Sequence, residues 1–411
     1  MPFVFRIIIL LAFIFVTEFY FYRKLFKSLQ QVFPKLSARK IKAGIRTAVI
    51  VLNIYPLLAV GYWIYILTVN QTNAAPPQNS LFDYLFVYPF WISMLIVLQS
   101  IVIILPVDLI KLITYPFWKK LREKFRRRYA VLFLFVIAVF SLYVPARIIY
   151  DYNTVLVRET TFTKSNLKSE LEGFKIAVIS DIQADWYTDA NRLGNFISKV
   201  NSANPDLVLI AGDVITNSPL YIDKAAEYLG KIKSKYGVYT CIGDHDNWAY
   251  RDDNEKSVRE ITEALKKQNV FMIDNDKKRI DVNGASIGIT FVTNTYVERI
   301  SDKVLDSLAD GGFQNDLKIF LTHQPRQYLI DKAIKYEYDL FLAGHTHGGQ
   351  ITLFFPFYNL TPTLIETNYI RGDFRFGDMM MIVTPGLGMS LAPIRYNSTP
   401  EVTILTIKSG D

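Results

Sequence analysis

All four histidines of this 411-residue chain stand in short polar motifs, and three of the five such motifs hold aspartates. The motifs are SDIQ from Ser180, GDVITN from Gly212, GDHDNW from Gly243 with His245, THQP from Thr322 with His323, and GHTHGGQ from Gly344 with His345 and His347. Met singly, each has a bland structural use, because an Asp after a strand caps a helix and Gly-Asp makes a turn. Taken together they form a donor set of carboxylates and imidazoles suited to divalent transition metals such as Mn, Fe or Zn, hard enough to accept oxygen donors and phosphate. The donors are too many for one ion. Two ions about 3.5 to 4 Å apart, bridged by a carboxylate and a hydroxide, carry out in-line attack at phosphorus. Phosphoester hydrolysis is therefore the chemistry these residue types serve.

The motifs need elements that bring them to one edge. From Gly173 onward short apolar runs alternate with charged amphipathic segments, the pattern of a layered α/β fold. Strands are predicted near Lys175–Ile179, Asp206–Ala211, Gly237–Ile242, Val270–Ile273, Ser286–Val292, Leu317–Leu321, Asp339–Ala343, Met379–Val383 and Val402–Ile407. Helices are predicted over Ala190–Asn201, Ile222–Ser234 and Glu255–Gln268. All five motifs then follow strand ends, where α/β sheets build their sites.

With these motifs in this order, the stretch from Phe174 to Ile407 resembles the calcineurin-like metallophosphoesterases. It is most similar to their membrane-associated bacterial branch, whose fifth motif reads GHTHGGQ and whose late segment looks like RYNSTPEVTILTI from Arg395. The resemblance implies a four-layer αββα sandwich with a dimetal site at one edge. Residue by residue it implies Asp181 on the first metal, Asp213 as the bridge, Asp244, His323 and His345 on the second metal, and His347 closing the first. His245 is implied as the side chain that stabilises or protonates the leaving oxygen.

Two positions depart from the family pattern, which has Asp-x-His in the first motif and Gly-Asn-His in the third. Gln183 offers a neutral amide in place of an imidazole, a weaker ligand for the first metal. Asp244 in place of Asn adds negative charge at the second metal, which strengthens cation binding and makes the site less electrophilic. Around the motifs, Asp185 and Trp186 read as surface features more than pocket lining, while Asp246, Asn247 and Trp248 read equally as a substrate entry or as structure. Arg395 reads equally as a phosphate contact or as a solvated or paired cation. The lone cysteine, Cys241, excludes an intramolecular disulfide framework and reads as a small buried hydrophobe.

The first 150 residues belong to another environment. They hold 18 Lys or Arg against 4 Asp or Glu, whereas the remainder holds 28 against 34. The positive charge sits wholly in the oily part, so a phospholipid surface is the expected acidic partner and no nucleic acid is expected. Four apolar stretches, Phe3–Tyr22, Thr47–Val69, Leu81–Ile104 and Tyr129–Tyr150, approach the ~20 residues that cross a bilayer as helix. Eight basic residues in Arg23–Arg46 and eight in Lys111–Arg128 mark cytoplasmic loops, and the loop from Asn70 has none. The expected organisation is a four-helix transmembrane region over 1–150, a connector over 151–172 and a metallophosphoesterase domain over 173–411.

The expectation is a multi-pass cytoplasmic (inner) membrane protein with its catalytic domain on the extracytoplasmic side, using two divalent metal ions to hydrolyse a phosphomonoester or phosphodiester. Anchoring favours a phospholipid or lipid-linked substrate. The alternative is a non-catalytic or single-metal phosphoesterase-like sensor or binding protein. Transport finds little support, since Glu18 and Asp108 are the chief ionisable residues of the spans and lie near span ends.

Overall fold

The computed structural model describes residues 3–69, 78–114, 122–310, 315–355 and 358–410. The chain divides into two compact units, one of Met1–Gln71, Pro76–Ile149 and Thr352–Leu360, the other of Thr72–Ala75, Tyr150–Ile351 and Thr361–Asp411.

The first unit is helical. Among the described residues three helical stretches are long and apolar enough to cross a membrane: Ala38–Ile66, Ser80–Ile113 and Phe125–Asn153. The expected span Phe3–Tyr22 is not one of them, and lies in a helix Phe3–Val32 that runs on through Arg23, Lys24 and Lys27. The span expected from Thr47 starts at Ala38 instead, because Lys and Arg are good helix formers that an apolar-run criterion ignores. It bends at Asn53, between the helices Ala38–Leu52 and Ile54–Val69. Residues 70–77 of the loop from Asn70, and 115–121 of the second basic segment, lie outside the described residues.

Several ionisable and amide side chains of this unit are paired with one another or with backbone, as is expected of such groups in apolar surroundings. Asp108 takes the ammonium of Lys24 and the hydroxyls of Tyr20 and Tyr129, and Asn53 donates to Glu18 at 2.9 Å. The buried amide of Gln99 grips the backbone of Phe354, accepting from its N–H at 2.8 Å and donating to its carbonyl at 2.6 Å. Phe354 belongs to a hairpin of strands Leu353–Phe355 and Tyr358–Leu360, so residues that follow GHTHGGQ in sequence pack with the helical unit.

The second unit is an α/β sandwich of two six-stranded sheets. The first sheet runs Leu156–Ser165, Glu401–Gly410, Lys175–Ile179, Leu207–Ile210, Val238–Thr240, Val270–Met272. Its last four strands are parallel. The second sheet runs Gly372–Phe376, Met379–Val383, Leu340–Ala343, Leu317–Thr322, Ala285–Val292, Lys277–Val282, and its four inner strands are parallel. Alternation within single strands builds the layers. Ile176 and Val178 face the core between the sheets with Ile287, Ile319 and Leu342, whereas Ala177 and Ile179 face outward to Phe196 and Leu265 on helices Ala190–Ser202 and Asn254–Lys267. On the other outer face Phe320 and Phe341 pack with Leu305 and Leu329 of helices Asp302–Asp310 and Gln327–Lys335.

The inner strands coincide with the predicted apolar runs, with Gly237–Ile242 shortening to Val238–Thr240. Strands Lys277–Val282 and Gly372–Phe376 were not predicted; they are edges with one exposed face, so they alternate rather than forming apolar runs. The connector supplies an edge strand, Leu156–Ser165, parallel to the C-terminal strand.

Arg395 serves neither reading offered by the sequence. It is fully buried, and its guanidinium donates to the carbonyls of Gly388 (2.6 Å), Pro385 (2.9 Å), His347 (3.1 Å) and Ser398 (3.1 Å), tying the loop after strand Met379–Val383 to the last motif. Burial and the charge of Arg192 bring its pKa down to about 9. Replacing it by an apolar side chain leaves four buried carbonyls without this donor. Arg395→Met is expected to cost about 3 kcal/mol, a fall in Tm of roughly 6 to 12 °C in thermal unfolding of the full chain; an unchanged Tm would deny the clamp.

Candidate metal centre

Five parallel strands deliver the motifs. Lys175–Ile179, Leu207–Ile210 and Val238–Thr240 of one sheet lead into Asp181, Asp213 and Asp244, and Leu317–Thr322 and Leu340–Ala343 of the other lead into His323 and His345. The chain must then turn sharply enough to aim side chains inward. Asp181, Gln183, Asp213, His345 and His347 all adopt positive φ, between 49° and 71°, a region that non-glycine residues rarely occupy and that clusters at functional sites.

Neighbouring loops hold these turns. Asp181 N–H donates to Gly212 and Gln183 N–H to Asp213, each at 3.0 Å. The buried carboxylate of Asp246 accepts from the N–H groups of Gly243 (2.8 Å), Val214 (2.8 Å) and Asp213 (3.0 Å), so it staples two motif loops together rather than lining an entry. Burial and the Asp213 charge push its carboxyl up to about 6, against the pull of those N–H groups. Asp185 likewise closes its own turn, accepting from Tyr187 and Thr188 N–H and from the Thr216 hydroxyl. Gly243 must lack a side chain, since a Cβ there would strike Asp213.

Two donor triads result, Asp244–His323–His345 and Asp181–Asp213–His323, each with its ligand atoms within 4.8 Å of one another. His323 belongs to both. Its Nδ1 lies 2.7 Å from the Ala211 carbonyl, which can only accept, so Nδ1 carries the proton. Nε2 therefore faces Asp213 and Asp244, each at 3.3 Å, across a space that a cation or a second proton must fill. Burial works against a second proton, yet the two carboxylates outweigh it and raise this imidazole well above its ordinary 6.5. His345 Nδ1 lies 2.9 Å from Asp244 and 3.3 Å from His323 Nε2.

Of the donors implied for the first metal, Asp181 and Asp213 belong to a triad, whereas Gln183 and His347 stand outside both. Asp181 Oδ1, Gln183 Oε1 and His347 Nδ1 are buried without a hydrogen-bond partner, and His347 Nε2 lies 3.4 Å from Asp181. Burial and the charge of Arg395 keep His347 well below its ordinary pKa, hence neutral with a lone pair to offer. Gln183 is turned so that its amide nitrogen donates to Asp213 at 2.8 Å. His245 stands beside the triads: its backbone N–H donates to Asp213 at 2.8 Å, its Nδ1 lies 2.5 Å from the Thr216 carbonyl, and its Nε2 lies 3.1 Å from the Ser390 hydroxyl.

Several supporting residues escaped sequence reasoning. Gln324, inside the quoted THQP, donates to both Asp244 oxygens at 2.8 and 2.9 Å, and the Tyr296 N–H adds a third bond at 2.7 Å. Glu366 lies 3.1 Å from His345 Nε2 and takes the Arg326 guanidinium and the Tyr296 hydroxyl. Nothing in its sequence surroundings marks it. A carboxylate on the remote nitrogen fixes an imidazole's tautomer and raises its basicity toward a metal, here at Nδ1.

A family model for calcineurin-like phosphoesterases matches residues 174–349. The chain is 31% identical over 257 residues, 61% of its own length and 85% of the other's, to the uncharacterized metallophosphoesterase YkuE of Bacillus subtilis. The chain belongs to the calcineurin-like metallophosphoesterase family. This metallophosphoesterase is also 25% identical over 293 residues, 69% of its length and 63% of the other's, to a transmembrane protein with metallophosphoesterase domain from Danio rerio. Among solved structures it is similar to a dimetal phosphatase from Danio rerio, with 10% identity and a TM-score of 0.32 over 53% of this chain and 88% of the other. The family and the clustered Asp and His donors together indicate a hydrolase domain that binds divalent metal.

Burial opposes ionisation of Glu366, but hydrogen bonds with His345 and Tyr296, with the charges of His345 and Arg326, outweigh it and bring the carboxyl from 4.5 down to about 2. Its contribution to stability is thus complete above about 4.5 and lost as pH falls toward 2. At neutral pH the expected effect of Glu366→Gln is on metal: about tenfold weaker Mn²⁺ binding to the metal-depleted full chain by isothermal titration. Unchanged affinity would leave Glu366 no part in orienting His345.

Proposed function

We propose that this chain is a membrane-anchored phosphoesterase that hydrolyses a phosphomonoester or phosphodiester carried by a phospholipid or lipid-linked molecule. The observation that carries the reading is the pair of donor triads meeting at His323, whose Nε2 faces two buried carboxylates. Asp181, Gln183, Asp213 and His347 would hold one divalent ion, and Asp213, Asp244, His323 and His345 the other, with Mn, Fe and Zn all suited to the donors. When bound, such ions neutralise phosphoryl oxygens and activate water.

The protein's own groups do the rest. His245 holds a proton at Nδ1 for the Thr216 carbonyl, which leaves Nε2 as the nitrogen that gains and gives a proton at the leaving oxygen. The Ser390 hydroxyl and the bond from His245 N–H to Asp213 fix that ring beside the cluster. Asp181, Asp213 and His323 are buried, which keeps bulk water from these donors.

In the full chain supplied with Mn²⁺, His245→Ala is expected to lower kcat on a chromogenic phosphodiester by about a hundredfold or more and to keep its bound metal, whereas Asp213→Ala loses both. Equal activity of wild type and both variants would contradict the reading. A single-metal protein is the second reading, favoured by Gln183 presenting nitrogen rather than oxygen to Asp213. In that case wild type binds one ion and Gln183→His is expected to gain a second.

The outward placement of the catalytic unit is also part of the proposal. It is supported by the basic segments Arg23–Arg46 and Lys111–Arg128, and the lipid-borne substrate by the membrane-length helices. An alkaline-phosphatase fusion at Asp151 is expected to be active; an inactive fusion with an active cytoplasmic reporter at the same residue would reverse the sidedness.

A further inference from the structure

We infer that the loops around the metal centre form a membrane-facing rim, with Leu391, Ile365 and Leu220 as apolar contacts to the interfacial layer of a phospholipid bilayer. The inference deepens the proposed function and rests on its reading of a lipid-borne substrate.

In the second unit, among the described residues, the three most exposed large apolar side chains are Leu391 at 99%, Ile365 at 94% and Leu220 at 75%; the next is Val304 at 51%. Isolated exposed aliphatics are ordinary on a protein surface. These three lie on loops with contacts to the site. Leu391 follows Ser390, whose hydroxyl is 3.1 Å from His245 Nε2. Ile365 precedes Glu366, whose carboxylate is 3.1 Å from His345 Nε2. Leu220 sits in the turn Pro219–Tyr221, four residues beyond Thr216, whose carbonyl takes His245 Nδ1. Each apolar tip is thus carried by a loop that touches an imidazole of the site.

The Leu391 turn is held outward by built structure. Gln350, the last residue of GHTHGGQ, places its amide nitrogen 2.8 Å from the Ser390 carbonyl, 2.9 Å from that of Ala392 and 3.1 Å from that of Ile394, and its oxygen accepts from Ser390 N–H at 2.8 Å. Within this clamp Leu391 has φ +62°, a conformation that a branched aliphatic residue rarely adopts. Strain of that kind persists where surrounding structure enforces it, commonly at functional sites.

A bilayer fits these features better than a protein partner. The tips are separate aliphatic side chains around a polar centre, and the same chain carries three helices of membrane-spanning length. Ile365 also follows Leu360 by five residues, and Leu360 ends the hairpin that belongs to the unit of those helices. Aliphatic tips in the interfacial layer would let a headgroup phosphate reach the site while its acyl chains stay among lipid.

The single cysteine, Cys241, is fully buried, so nitroxide labels can be placed one at a time on the full chain. Leu391→Cys, Ile365→Cys and Leu220→Cys would be labelled, with exposed Lys267→Cys at the end of helix Asn254–Lys267 as the aqueous reference. The chain is reconstituted into vesicles of phosphatidylethanolamine and phosphatidylglycerol, and collision rates with oxygen and with a water-soluble nickel chelate are measured. The expected result is an oxygen-to-nickel ratio at 391, 365 and 220 at least threefold above the reference. A ratio equal to the reference would overturn the rim, and so would shielding from both reagents, which marks a protein contact. The readout needs no turnover. A rim in lipid on a chain that hydrolyses nothing would remove the phosphoesterase reading alone, and an aqueous rim on an active enzyme would remove the rim alone.

Discussion

The imidazole of His323 is where the structure's requirements meet. Its Nδ1 is committed to the Ala211 carbonyl, and its Nε2 is left between the carboxylates of Asp213 and Asp244. Asp181 adds a third buried carboxylate beside them. Buried charge of one sign is costly unless it is paired. Protonation of His323 partly compensates, and a divalent cation would compensate further, with the orphaned atoms of Asp181, Gln183 and His347 close by as further donors. Metal binding would therefore be coupled to the integrity of this sheet edge.

Backbone conformation meets that requirement. Five motif residues sit at positive φ, and the loops carrying them are bound to one another by main-chain bonds, by Asp246 and by the Arg395 guanidinium. Gly344 shows how close the packing is, since a Cβ there would meet Ser180 and Asp181. Two sheets with parallel strands supply the scaffold, because parallel strands direct all their following loops to the same edge.

Much of this was legible in the sequence for a physical reason. Inner strands are buried on both faces and read as apolar runs, and the motifs that follow them place Asp181, Asp213, Asp244, His323 and His345 close together. What stayed hidden depends on contacts distant in sequence. Glu366 lies 21 residues beyond His345 with no motif around it, Asp246 reads equally as substrate entry or structure until its three N–H partners are seen, and Arg395 reads equally as a phosphate contact or a solvated or paired cation until it is found among carbonyls. The edge strands Lys277–Val282 and Gly372–Phe376 escaped because they alternate. In the helical unit, the basic residues of Ala38–Leu52 masked the start of a membrane-length helix, and the apolar strands of the hairpin gripped by Gln99 follow GHTHGGQ in sequence, far from the helices they pack with.

The central claim is that the cluster around His323 is a divalent-metal centre joined through Asp213. Elemental analysis of the full chain purified in detergent without added metal, beside Asp213→Ala prepared in parallel, tests it most directly. The account predicts Mn, Fe or Zn at one to two ions per chain in the wild type, with most of that metal absent from the variant. Wild type with no more metal than Asp213→Ala would contradict it.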